Sequence, residues 1–296
     1  MFQPDYYVTP TKNTTTPITQ TNSITTPTKN TTTPTSSKIA FLPPSFTLAA
    51  YQKDISGHYV KFYGFYAKYG NIHKGVNVTT DLENLTTHVT GGGHEYEIKI
   101  YSNWIKTVFP NVTISTVNEQ DVHDGRIFLD DGSNAFGTII IFHEEYVTQQ
   151  MYDNFKRFVS NGGTLLFLDG NVFYAEVKYN QASNSITLVK GHGWQFDGTV
   201  AQRSIWERWL SETSQWMGSN YWEKPIHDPV LFANSPFNWP GNPYNYTHME
   251  ENYVNNPNDI ILYNYNAINK NGTQIAPTIA TYELHYGKGK VITLGL

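Results

Sequence analysis

The chain has 296 residues, a formal net charge of -5 and no cysteine. The missing cysteines exclude disulfides, thiolate metal sites and a cysteine nucleophile, and the acidic balance makes nucleic acid a poor partner. No apolar run reaches the roughly 18 residues that a membrane-spanning helix needs, and the first residues lack the basic and apolar regions of a signal peptide.

The N-terminal 37 residues differ in composition from the rest of the chain. The segment "TPTKNTTTP" occurs at Thr9–Pro17 and again at Thr26–Pro34. Because such a sequence has little apolar surface to offset its ordering entropy, we expect a disordered Thr/Pro-rich stalk over residues 1–37. Tracts of this kind are typical of glycosylated spacers at cell surfaces. The triplet N-x-[ST], which Thr-rich sequences also produce by chance, occurs at Asn13, Asn30, Asn77, Asn84, Asn111, Asn245 and Asn271.

The stalk and the triplets favour an extracytoplasmic or cell-surface glycoprotein, and the alternative is a cytoplasmic protein with a disordered tail. From Lys38 onward, short apolar strands alternate with amphipathic helices. "KIAFLPP", "NVTISTV", "GTIIIF" and "TLLFLDG" predict strands, and "HYVKFYGFYAKYG", "EYEIKIYSNWIKTVF" and "TQQMYDNFKRFVSNGG" predict helices. The last of these ends at Gly162–Gly163.

The later part of the chain changes character. "VKYNQASNSITLVKG" predicts a β-hairpin, "SIWERWLSETSQWMG" a helix, and "TIATYELHYGKGKVITLGL" a second hairpin that turns at Gly287–Gly289. Strand–helix–strand units with wholly apolar strands are typical of a parallel sheet covered on both faces. We therefore expect an α/β domain over residues 38–296, with a mostly parallel sheet flanked by helices and with β-hairpin insertions.

Polar residues follow two of the predicted strands, where open parallel sheets bind their ligands. The first group is His143, Glu144, Glu145 and Tyr146, and the second ends at Asn171. If the strands are neighbours, both groups share one crevice, and Thr148 is placed to cap the next helix near it. Without Cys or Ser at this turn, acyl-enzyme chemistry is disfavoured. Asn171 could donate a hydrogen bond to an oxyanion or simply occupy a tight turn.

These residues carry a family resemblance. The stretch over 138–177 resembles the C-terminal, glutamine amidotransferase-like domain of the N,N-dimethylformamidase large (beta) subunit family. Its His-x-Glu-Tyr and Gly-Asn-x-x-Tyr motifs are present here as "HEEY" and "GNVFY", which end at Tyr146 and Tyr174. "TLAAYQ" places Tyr51 at the family's upstream tyrosine, and "THMEENYVNNPNDIILYNYN" places Glu250, or Glu251, at its later glutamate. The resemblance runs from about Lys38 to the end, and "GHGW" is similar to an uncharacterised archaeal subgroup.

The resemblance implies hydrolysis of a small amide at a mononuclear ferric iron bound by two tyrosines and a glutamate. It implies that Tyr51 and Glu145 are metal ligands, which suits hard oxygen donors and a ferric ion. It further implies that His143 transfers protons or supports the ligands, and that Glu250 is a general base. The family's segment for the second tyrosine is missing, and the tyrosines in the right interval are more typical of helix packing: Tyr59, Tyr63, Tyr66 and Tyr69. The iron site is therefore expected to be altered or empty if none of them replaces it.

Two further functions stay open. The first is a non-catalytic surface, envelope or filament module on the same fold, with glycans as partners and homo-oligomers as its assembly, which the stalk and the missing tyrosine segment favour. The second is carbohydrate binding or processing, suggested by 7 Trp and 21 Tyr. Glu144 and Glu145 are unsuited to glycoside hydrolysis, because neighbouring residues of an extended chain point to opposite sides.

Overall fold

The elements follow the hydrophobic pattern of the sequence closely. The computed structural model describes residues 38–52, 62, 79–82, 103, 106–107, 110–168, 172–191, 194–196, 201–202, 207–218, 224–226, 247–249, 258–265, 273 and 278–294. The helices within these ranges are α1 (Ser45–Ala50), α2 (Glu119–His123), α3 (Gln149–Ser160) and α4 (Leu210–Trp216). The strands are β1 (Ile39–Leu42), β2 (Thr79–Asp81), β3 (Ile114–Thr116), β4 (Thr138–Ile141), β5 (Glu144–Val147), β6 (Thr164–Phe167), β7 (Val172–Asn180), β8 (Ser185–Gly191), β9 (Trp194–Phe196), β10 (Ala201–Gln202), β11 (Lys224–Ile226), β12 (Thr247–Met249), β13 (Ile260–Tyr265), β14 (Thr278–Tyr286) and β15 (Gly289–Thr293).

The larger sheet is buried on both faces in its centre. Its strand order is β13-β14-β15-β6-β4-β1-β3. Successive side chains of β4 alternate between two apolar clusters, because side chains of a strand point to opposite faces. Ile139 and Ile141 join the main core, whereas Ile140 packs in a smaller cluster with Phe41 and Phe142. This two-sided burial is the reason why "TIII" is apolar without interruption.

A second sheet has the order β10-β9-β8-β7-β5, with β2 paired to β8. Within it β5 and β7 are parallel, and the other pairs are antiparallel. The chain passes from β4 of the first sheet to β5 of the second through two residues, Phe142 and His143. The chain also runs from β6 of the first sheet to β7 of the second. The two sheets are therefore joined at the carboxyl ends of β4 and β6.

The expectation of a mostly parallel sheet is not confirmed, although the α/β class is. In the larger sheet β3, β1, β4, β6 and β15 are joined in parallel, but β13 and β14 add antiparallel pairs at one edge. The sheet is mixed, and strands outnumber helices among the described residues. The physical reason is that the β14–β15 hairpin contributes one strand to the parallel array and folds the other back beside it.

Helix α3 confirms the prediction made from its spacing. Its buried residues, which lie on one face, are Met151, Tyr152, Phe155, Phe158 and Val159. The Thr148 hydroxyl accepts a hydrogen bond from the Met151 N–H at 3.1 Å and so caps the N-terminus. After the helix, Gly162 has a φ of +109°, which favours glycine. A Cβ on Gly163 would lie 2.2 Å from the Phe158 ring, so this position requires glycine as well.

Both predicted hairpins are confirmed as β7–β8 and β14–β15. Helix α4 begins at Leu210, later than the predicted segment. The stalk over 1–37 and most of the two predicted helices between 58 and 109 lie outside the described residues. Within the described ranges, no helix combines the length and apolarity needed to cross a bilayer. All described residues belong to one compact unit, Pro34–Leu296.

Candidate functional site

The condition that the two strands are neighbours is met. Strands β4 and β6 pair in parallel, and Ile141 lies opposite Phe167, so both strands end at the same level. One expectation changes: the acidic group after β4 is not a strand end open to a crevice. Glu144–Val147 form β5, and the exposed fractions of His143, Glu144 and Glu145 are 5%, 0% and 1%. We call His143, Glu144, Glu145 and Tyr51 the polar junction.

Three of the predicted site residues meet at this junction. The Nε2 atom of His143 lies 3.2 Å from Oε1 of Glu145. The Tyr51 ring meets the His143 ring edge-on, with 6.2 Å between the ring centroids. Tyr51 also lies edge-on to Tyr146 at 6.1 Å. The imidazole is thus in contact with a carboxylate and near a phenol, as the sequence predicted.

Tyr51 reaches the junction because helix α1 is bonded to β5. The Thr47 hydroxyl oxygen accepts hydrogen bonds from the Glu145 N–H at 3.0 Å and from the Tyr146 N–H at 3.4 Å. The carbonyl of Thr47 also accepts the N–H of Tyr51 at 3.0 Å. One residue therefore links the backbone of Glu145 to the residue that ends α1.

A β-bulge lies opposite Glu145. The register between β5 and β7 shifts from Glu144 opposite Val172 to Tyr146 opposite Ala175, so β7 contains an extra residue. Phe173 in this bulge has a φ of +57°, a conformation that is strained for a bulky side chain. It is held there by aromatic packing against Tyr152, Phe155, Phe167 and Trp216. Bulges often re-aim side chains beside active sites.

The segment "GHGW" begins against the same strand. A Cβ on Gly191 would lie 2.1 Å from the carbonyl oxygen of Tyr174, and the φ of Gly191 is +110°. The Arg208 N–H donates to that same carbonyl at 2.9 Å. Gly191 is therefore required for the close approach of β8 to the bulged part of β7.

Two buried acids were missed by sequence reasoning. Neither carboxyl oxygen of Glu144 has a hydrogen-bond partner among the described residues. Burial raises the pKa of Glu144 well above its usual range, the negative charge of Glu119 raises it further, and His143 partly offsets the rise. No sequence pattern predicted this burial, because alternation indicated only that Glu144 and Glu145 face opposite sides.

The second acid, Glu119, contacts the N-terminus of α1. Its carboxylate accepts hydrogen bonds from the Ser45 hydroxyl and, at 2.6 Å, from the Phe46 N–H. Burial nevertheless raises the pKa of Glu119 to about 8, against the lowering effect of these two donors. The capping pattern of "NEQD" marked the start of α2, but nothing in the sequence linked it to α1.

The remaining predicted site residues, Asn171 and Glu250, lie outside the described residues, as do Glu251 and the four candidate tyrosines between 59 and 69. In the described part of the chain, no group of three or more His, Asp or Glu side chains is placed to hold a metal ion. The two ligands that the resemblance implies for a ferric ion, the Tyr51 phenol and the Glu145 carboxylate, both belong to the polar junction. This pair of hard oxygen donors fits a ferric ion.

The comparisons with known proteins agree with the motifs. The model of the family described as N,N-dimethylformamidase beta subunit-like, C-terminal, matches residues 7–285. A search of curated proteins found no match.

Solved structures give weaker likenesses. Gan42B, a GH42 beta-galactosidase from G. stearothermophilus, is 10% identical with a TM-score of 0.42, over 87% of this chain and 27% of the galactosidase. A putative ThuA-like protein from Bacteroides uniformis is 11% identical with a TM-score of 0.36, over 71% of this chain and 78% of that one. The chain thus spans about a quarter of the galactosidase, and TM-scores this low support no argument.

Proposed function

Because the chain belongs to the N,N-dimethylformamidase beta subunit-like, C-terminal family, we propose that it hydrolyses the C–N bond of small amides at a ferric site in the polar junction. The observation that supports this proposal is the meeting of Tyr51, His143 and Glu145 beside the aligned ends of β4 and β6. In the reaction, water adds to the amide carbonyl, the C–N bond breaks and the amine leaves with a proton.

Tyr51 and Glu145 would hold the iron. When bound, a ferric ion acts as a Lewis acid that polarises the carbonyl and makes water a better nucleophile. Burial of both ligands excludes bulk water and so strengthens their interaction with a cation. Glu145 needs its negative charge for this role, whereas a neutral amide at the same position binds a ferric ion poorly.

His143 would hold a proton at Nε2 beside Glu145 and so orient its carboxylate. The ring lies 3.2 Å from Glu145 Oε1, within reach of a proton exchange. Asn171 would donate to the developing oxyanion, and Glu250 would accept a proton from water. The role of Glu250 comes from the family resemblance, and that of Asn171 from its position after a strand end.

The test measures iron content, visible colour and amine release from N,N-dimethylformamide by the purified protein. We expect bound iron, a tyrosinate-to-iron charge-transfer band and amine release in the wild type. Glu145→Gln should abolish all three with little loss of folding, because the amide keeps the shape of the carboxylate but not its charge.

A matched control is Glu176→Gln, which removes a carboxylate from β7 that pairs with Arg208 at 2.5 Å outside the polar junction. This variant should keep iron and activity. A colourless wild type that takes up no iron and releases no amine would overturn the proposal. Equal behaviour of the two Gln variants would also contradict it.

A second candidate is a non-catalytic surface module that assembles outside the cell. The observation in its favour is a row of exposed apolar residues on the edge strand β13: Ile260 at 49%, Ile261 at 38% and Leu262 at 51%. Exposed apolar edge strands favour contact with another chain. Asn111, in one of the N-x-[ST] triplets, is exposed in the turn before β3. Glycans on the purified protein, and oligomers of a metal-free preparation in sedimentation, would support this candidate.

A further inference from the structure

We propose that Glu119 and Thr47 are positioning residues that fix Tyr51 at the polar junction through helix α1, an inference that rests on the proposed function for the role of Tyr51. We call these two residues the α1 clamp. Glu119 lies outside the motifs that carry the family resemblance, whereas Thr47 is the threonine that opens "TLAAYQ", for which the resemblance implies no role. The Glu119 carboxylate accepts hydrogen bonds from the start of α1, and the Thr47 hydroxyl accepts hydrogen bonds from β5.

Helix α1 cannot set its own position. It has six residues, and helices this short are unstable without tertiary contacts. Its N-cap residue is Pro44, whose side chain makes no capping hydrogen bond. The N-terminal N–H of Phe46 and the hydroxyl of Ser45 donate instead to Glu119, which lies 73 and 74 residues away in the chain. Glu119 thus replaces the missing local cap.

Glu119 lies within a capping box that holds the N-terminus of α2. It is the first residue of α2, where the Asn118 side chain accepts from the Asp121 N–H at 2.7 Å and the Asp121 carboxylate accepts from the Asn118 N–H at 3.0 Å. Arg126 lies 2.6 Å from the same Asp121. The start of α2 is therefore stabilised by local bonds that do not depend on its contact with α1.

Thr47, the third residue of α1, completes the clamp by joining the helix to β5. Its hydroxyl accepts the N–H groups of Glu145 and Tyr146, opposite the bulge of β7, where the ladder between β5 and β7 is interrupted. The carbonyl of Thr47 also accepts the N–H of Tyr51. Thr47 therefore bonds to the backbone of both proposed ligands, Tyr51 and Glu145, and so limits the distance between them.

The test compares substitutions that remove each contact with substitutions that keep it. Thr47→Val removes the acceptor but keeps the shape of the side chain, and Thr47→Ser keeps the acceptor. Glu119→Ala removes the helix cap, and Glu119→Gln keeps an oxygen for the Phe46 N–H. Thr213→Val serves as the control, because it removes a buried hydroxyl bonded to Tyr152 in a different part of the core.

Two readouts follow the position of Tyr51. The first is the tyrosine ring-carbon NMR resonance of Tyr51 in the iron-free protein, assigned with Tyr51→Phe. The second is the dissociation constant for added ferric ion. We expect Thr47→Val and Glu119→Ala to shift or broaden the resonance and to raise the dissociation constant roughly 10- to 100-fold, as is typical when support for a metal ligand is lost. Thr47→Ser, Glu119→Gln and Thr213→Val should resemble the wild type.

The result that would overturn the α1 clamp is a lower melting temperature in Thr47→Val with an unchanged Tyr51 resonance. If Glu119→Ala does not fold, the comparison of Thr47→Val with Thr47→Ser still tests whether the α1 clamp positions Tyr51. If the wild type binds no iron, the proposed function fails, but the resonance of Tyr51 in the iron-free protein still decides whether the clamp positions it.

Discussion

Two buried regions of this protein satisfy their polar groups in opposite ways. The aromatic cluster, formed by Tyr152, Phe155, Phe167, Phe173, Trp209 and Trp216, pairs its polar atoms. The Tyr152 hydroxyl contacts Thr213 at 3.2 Å and accepts from Trp216 Nε1 at 2.8 Å, and Trp209 Nε1 donates to Gln149 at 3.2 Å. In the polar junction, Glu144 is equally buried but has no hydrogen-bond partner among the described residues.

We interpret this difference as a division between a region that serves stability and a region that serves the proposed function. A buried polar group without a partner costs roughly 1–3 kcal/mol, whereas a paired one costs little. Selection for stability alone would remove such a carboxyl. Groups of this kind, with pKa values shifted by burial, cluster at functional sites. The contrast therefore supports a chemical role for the junction and a structural role for the aromatic cluster.

The largest expected effect on stability lies in the aromatic cluster. Trp216 is fully buried and stacks on Phe173 at 6.0 Å. Trp216→Ala should lower the free energy of unfolding by about 3–5 kcal/mol, because it leaves a large cavity. Urea unfolding at neutral pH measures this loss, and Trp216→Phe, which keeps a ring, should lose less. A loss below about 1 kcal/mol in the Ala variant would place the core elsewhere.

The next effect concerns pH and Glu119. Its pKa in the folded chain is about 8, raised by burial from 4.5. Because the folded chain holds this proton more tightly than the unfolded chain, the stability that it contributes is complete below the unfolded value and is lost as the pH rises through about 8. The slope is at most about 1.4 kcal/mol per pH unit.

Urea unfolding of the wild type and of Glu119→Gln between pH 4.5 and 8.5 checks this expectation. The wild type should lose stability relative to the variant as the pH rises, since Gln carries no ionisable proton. Parallel curves for the two proteins would show that Glu119 titrates near its usual pKa, and the α1 clamp would then hold an ordinary carboxylate.

The smallest effect tests the unpaired carboxyl of Glu144. Glu144→Leu should raise the free energy of unfolding by about 1–3 kcal/mol, because an apolar side chain of similar size replaces a group without a hydrogen-bond partner. Glu144→Gln, which keeps a polar group there, should gain less. Equilibrium unfolding and amine release would be measured together, and we expect the stabilised variant to be less active. A loss of stability in Glu144→Leu would remove the contrast between the two regions.

Local rules predicted the elements that local sequence determines. The spacing of apolar residues and the cap at Thr148 predicted α3, and the apolar run "TIII" predicted β4. The motifs of the family resemblance placed Tyr51, His143 and Glu145 together in one candidate site, and the parallel pairing of β4 with β6 is consistent with the predicted strand–helix–strand units. These are the features in which propensity and tertiary packing agree.

Other features depend on contacts between distant parts of the chain. The bond from Ser45 to Glu119 joins residues 74 positions apart, and the bulge at Phe173 exists only because aromatic side chains from α3, β6 and α4 hold it. The second sheet was missed because β5 has only four residues, two of them glutamates, which resembled a polar strand end. A short strand that contains charged residues is therefore easily mistaken for a loop when only the hydrophobic pattern is considered.

The central claim is that the Tyr51 phenol and the Glu145 carboxylate meet at one ferric ion. The most direct test is to titrate the metal-free protein with ferric ion and to record the visible spectrum of the wild type beside Tyr51→Phe and Tyr286→Phe, the latter at the end of β14, where Tyr286 is half-buried beside Trp216. We predict a charge-transfer band that saturates at one iron per chain in the wild type and in Tyr286→Phe, and that is absent from Tyr51→Phe. A band of undiminished intensity in Tyr51→Phe, or its absence from the wild type, would contradict the claim.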